Sequence, residues 1–98
     1  MFVKIIKSYR YVVAISDEEL IGKKYEEGNM QLDIKESFYK GERKTPEEVA
    51  EILSDMKLED ATFNIVGEKS VRLALETGTI NEEQIGEIQG IKFALVLI

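Results

Sequence analysis

Thr62-Phe63-Asn64-Ile65-Val66-Gly67-Glu68-Lys69-Ser70-Val71 is where the chain changes its hydrophobic period, and this stretch decides the fold class. Phe63 and Ile65 alternate with Asn64, the two-residue repeat of a half-buried strand. Gly67 then turns the chain directly into a helix over about residues 68–76. Val71, Ala74 and Leu75 form its buried stripe, and Gly78 stops it. A strand that runs into a helix with no linker predicts a helix packed on a sheet.

Working upstream, Thr45-Pro46-Glu47-Glu48 is a helix start: Thr45 caps, Pro46 suits the first helical position, and Glu48 completes a capping box. Val49, Ile52, Leu53 and Met56 fall on one face of the helix that follows. Gly28-Asn29 is a tight turn between residues 23–26 and 30–34, where Met30, Leu32 and Ile34 alternate with polar partners; this predicts a hairpin. Residues 2–7 and 10–16 are rich in Val, Ile, Phe and Tyr and read as two antiparallel strands parted at Ser8. Ser16-Asp17 offers capping oxygens to a short helix over 18–21 that Gly22 ends.

Downstream, a turn of helix is expected after Asn81. Residues 91–98, apolar at nearly every position, read as a strand buried on both faces. Strand, helix and strand over 62–98 permit a parallel pair joined by a right-handed crossover. The expected fold is α+β: a single domain over 1–98, a two-layer α/β sandwich with a mixed sheet and two main helices on one face.

The chain has 98 residues, enough for one core. It contains neither Cys nor His, which removes disulfides, thiolate or imidazole metal ligands and the His-dependent triads. The first residues, Met1–Lys7, are too charged for a signal peptide, and no apolar run reaches membrane-spanning length, so the expected location is the cytoplasm. Net charge is −6, unevenly spread: residues 1–45 carry nine Lys/Arg against eight Asp/Glu, residues 46–98 four against eleven. An acidic chain is a poor indiscriminate nucleic-acid binder, but local basic patches in the first half stay available.

Three segments are candidate sites. Phe38, Tyr39, Lys40, Gly41, Arg43 and Lys44 combine aromatic faces with cations between a strand and a helix, a composition that stacks a base and holds a phosphate. The alternative is that the aromatics anchor a loop and the cations are solvated. Asn64, Gly67, Glu68 and Ser70 surround a helix N-terminus whose free amides suit an anion, unless the chain caps that end itself. Their spacing is not that of a phosphate-binding P-loop, and no cofactor is implied. Asp17, Glu18 and Glu19, with Asp33 or Glu36, would give an oxygen-only site for Mg²⁺; three consecutive carboxylates equally mark a solvated helix start.

The segments 13–23, 37–42 and 64–68, with Ser70-Val71 after the last, together resemble a small archaeal family, domain of unknown function 424. The resemblance runs over nearly the whole chain in order. It implies a compact archaeal cytosolic protein of two-layer α/β architecture and carries no activity with it. Two positions depart from the family pattern, which often has a Cys where this chain has Ser16 and a Pro-His pair near Lys92-Phe93. These readings converge on a small non-catalytic binding module serving RNA or a protein of the translation machinery. The alternatives are a metal-dependent enzyme on a phosphate-containing substrate and a protein–protein adaptor.

Overall fold

The computed structural model describes residues 1–97. Eight strands run β1 (Phe2–Lys7), β2 (Tyr11–Ser16), β3 (Lys24–Glu27), β4 (Met30–Asp33), β5 (Glu42–Arg43), β6 (Thr62–Val66), β7 (Ile85–Ile88) and β8 (Ile91–Val96). Three helices join them: α1 (Glu36–Tyr39), α2 (Pro46–Leu58) and α3 (Glu68–Glu76). Six strands form a mixed sheet in the order β5-β1-β2-β6-β8-β7, and β3 pairs with β4 alone. The expected α+β architecture, a mixed sheet with two main helices on one face, is the one found.

The capping box of α2 is complete. Thr45 Oγ1 accepts the Glu48 N–H at 3.2 Å, and Glu48 Oε1 accepts the Thr45 N–H at 2.9 Å. The hydrogen bond from the Thr45 backbone N–H to the carboxylate, and after it the Thr45 side chain, lower the Glu48 pKa because they favour its charged form. Val49 and Leu53 are fully buried, with Ile52 and Met56 packed at the margin. They join Val3, Val13, Ile15, Phe63, Ile65 and the α3 stripe in the larger core, between the sheet and its two long helices.

Two expectations for the C-terminal third are corrected. The strand paired in parallel is not the last one. Instead β2 and β6 run parallel, Val12↔Thr62 to Ser16↔Val66, with α2 on the connection between them, while β8 is antiparallel to β6. The cause is β7, which the sequence reading missed. It takes the outer edge, and the two-residue turn Gln89-Gly90, both at positive φ (53° and 77°), folds β8 back between β7 and β6. In β7 a glycine stands where a side chain would advertise a strand. A Cβ at Gly86 would lie 2.5 Å from Cζ of Phe93, so that ring occupies the missing side chain's space.

The second correction concerns burial of residues 91–98, whose last member, Ile98, lies outside the described residues. Ala94 is buried, but Leu95 is 50% and Leu97 71% exposed. The sheet face opposite the helices is covered at one end only. There the β3–β4 hairpin and α1 bring Leu20, Leu32, Ile34 and Tyr39 onto Ala14, Val66 and Ile88, a second and smaller core. Among the described residues the other end of that face has no layer over it.

Candidate functional site

At the carboxyl ends of the parallel strands β2 and β6 the chain supplies its own anion. Asp17 follows β2 directly and is 3% exposed. Its Oδ2 accepts the Lys69 N–H at 3.0 Å, and its Oδ1 accepts the Ser70 N–H at 2.8 Å and the Ser70 hydroxyl at 2.6 Å. A carboxylate from 50 residues away in sequence therefore caps α3, where local residues provide no side-chain cap. Gly67 makes room for it: a Cβ there would stand 2.3 Å from Cγ of Asp17. Gly67 and Ser70 are thus structural, the anion place at this helix end is filled, and Glu68 instead pairs with Arg72 and Lys92 on the surface.

The carboxylates at 17–19 do not converge. Asp17 turns inward to α3, while Glu18 turns outward and meets Arg43 Nε at 2.9 Å. Among the described residues no group of three or more acidic side chains could hold a metal ion.

The basic-aromatic segment is also rearranged. It is not a loop: α1 and β5 occupy it, and β5 pairs with Phe2 and Val3 of β1. Tyr39 is 7% exposed in the smaller core, with Phe38 against it edge-on at 5.0 Å between ring centres. Neither ring is free to carry a base. Gly41 serves backbone packing rather than ligand approach, since a Cβ there would collide with Val3 O and Lys4 Cα. Every cation of the segment has an anion: Lys40 with Glu36 at 3.2 Å, Arg43 with Glu18, and Lys44 with Glu42 at 3.0 Å. The hydrogen bond that Lys44 donates to Glu42 raises the Lys44 pKa.

Burial pushes the Tyr39 phenol up from 10.0 to about 12. In the unfolded chain it ionises near its ordinary value, so the stability its burial contributes is intact below pH 10 and lost as pH rises towards 12. Melting temperatures measured through this window should fall less steeply for Tyr39→Phe than for wild type. Equal slopes would show that another group governs base denaturation.

A different surface has the properties first sought at 38–44. The β1–β2 turn carries Tyr9, fully exposed, between Lys7 and Arg10. Lys7 Nζ lies 5.3 Å from the centre of the Tyr11 ring, and a cleft of about 310 Å³ runs from this tip to Glu59 and Asp60.

The uncovered half of the sheet continues from this tip. Strand alternation places Ile6, Val12, Thr62 and Leu95 there, because Val13, Phe63 and Ala94 point into the helix-side core. No acidic side chain projects from these four positions. Asn64, opposite Ala14 and Leu95, stands at the rim where the covered half ends. Asn64 is partly buried, and its amide makes no hydrogen bond to a described residue. Of the residues singled out from sequence, Asn64 alone faces this surface. The sequence marks this tip only as a polar break at Ser8, and exposure of one tyrosine has no local signature.

These features define a mixed α+β domain with one helix-covered sheet face and one half-open face, and no described helix is long and apolar enough to cross a membrane. The chain belongs to the family described as "Protein of unknown function (DUF424)", whose model matches residues 6–98. It is similar to a solved structure titled an uncharacterized conserved protein from Methanopyrus kandleri, with a TM-score of 0.82 and 25% identity over 97% of this chain and 88% of that one. No protein with a curated description matches.

Proposed function

We propose that this protein is a small cytoplasmic binding module for single-stranded RNA, attached to the translation machinery, with the β1–β2 tip and the open sheet face as its contact surface. The observation that carries the reading is Tyr9, fully exposed at the tip between two cations. An exposed aromatic gains nothing for the fold, whereas stacking a base on it is worth roughly 1–3 kcal/mol. Lys7, on the helix side of the tip, supplies charge for phosphate beside Tyr9, and the open face of the adjoining strands offers an apolar floor at Ile6, Val12 and Leu95. With a net charge of −6, affinity must be local rather than spread over the surface.

Fluorescence anisotropy with short RNA oligonucleotides at low salt tests this. Tyr9→Ala should lower affinity roughly tenfold with an unchanged melting temperature. Lys7→Glu should weaken binding and reduce the salt slope by about one unit. If wild type binds no RNA at low salt, the reading falls. The exposed Leu95 and Leu97 then favour a protein–protein adaptor, whose affinity would change little with salt.

A further inference from the structure

We infer that Asn64 is the base-selecting residue of that open face, with adenine as the base it prefers; the inference rests on the RNA reading above. Its neighbours in register are Ala14 on β2 and Leu95 on β8, neither of which can hydrogen-bond through its side chain. Leu95, half exposed, and Val12 one step diagonally away make an apolar floor. A base lying flat on that floor presents its polar edge sideways, where Asn64 is the amide within the same layer.

The amide is also uncommitted. It carries two donors and a carbonyl acceptor, and no described residue takes up any of them. In a strand interior Asn is a poor structural choice, since its propensity for strands is low and a β-branched residue would pack better. The pattern of a donor beside an acceptor is complementary to N7 and N6 of adenine, the pairing Asn makes most readily with a base. Lys4, opposite Ala14 on the same face, donates to Ser37 O at 2.6 Å.

The test is anisotropy titration of wild type, Asn64→Ala and Asn64→Asp with oligo(A), oligo(C) and oligo(U) of equal length, with melting temperatures in parallel. Wild type should favour oligo(A) over oligo(U) roughly tenfold, about 1–3 kcal/mol being the worth of one good bidentate pair. Asn64→Ala should bring that ratio close to one with the salt slope kept, because cations elsewhere carry the phosphate contacts. Asn64→Asp, an acceptor only, should move the preference towards oligo(C), which offers an amino donor. A wild-type protein that binds all three equally, or an A-to-U ratio untouched by Asn64→Ala, overturns the inference while Tyr9→Ala still reports on the RNA reading. Absence of binding to every oligonucleotide overturns both.

Discussion

Gly67→Ala should cost about 5 kcal/mol, at least a third of the roughly 5–15 kcal/mol that stabilises a domain of this size. Two effects add. Gly67 sits at φ 108°, ψ 154°, a region essentially closed to residues with a side chain, and forcing one there costs about 1–3 kcal/mol. The new Cβ would also lie 2.3 Å from Cγ and 2.5 Å from Oδ2 of Asp17, so the carboxylate must leave. Its departure strips the acceptor from two amides and one hydroxyl at the start of α3. Urea denaturation should show a midpoint displaced far towards zero with little change in slope. A melting temperature within a few degrees of wild type would mean that the close approach of Gly67 to Asp17 does not exist in solution.

Asp17→Ala should cost about 4 kcal/mol by the second of those routes alone. Hydrogen bonds to a charged group contribute about 1.5–3 kcal/mol each, and leaving buried donors unsatisfied costs about as much. Two of the three donors lost belong to Ser70, which is 1% exposed and cut off from replacement water. Asp17→Asn should recover part of this. Its oxygen can still serve Ser70, while its amide meets the Lys69 N–H donor to donor. Because Gly67→Ala and Asp17→Ala break the same bonds, the double variant should cost clearly less than the two together, a non-additivity expected for neighbours. Strict additivity in a denaturation cycle would disprove the shared cap.

Much of the fold was legible because its signals are local. The capping box at Thr45-Pro46-Glu47-Glu48 and the turn at Gly28-Asn29 act within four residues, so the sequence states them outright. The alternation of Phe63 and Ile65 is the same kind of signal. β7 was not legible, since Ile85-Gly86-Glu87-Ile88 is short and its glycine is explained by a Phe93 ring that arrives only after the chain folds back. The reading of residues 91–98 as doubly buried failed for a related reason. Apolar composition records what could be covered, and the cover on that face stops at the β3–β4 hairpin.

The candidate sites divide along the same line. Residue types alone excluded cysteine and histidine chemistry, named Asn64 as worth attention, and placed a helix N-terminus at Gly67. Whether a group is available is a different question, because availability depends on neighbours brought from afar. Asp17 reaches Ser70 across 53 residues and Glu18 reaches Arg43 across 25, which fills the anion place and separates the carboxylates. Tyr39 and Tyr9 are the same residue type beside similar cations, yet one is 7% exposed and the other fully so. Elements, their caps and the excluded chemistries were determined by the sequence itself, through short-range forces. Which tyrosine meets solvent, and which carboxylate is already spent, was decided by tertiary packing.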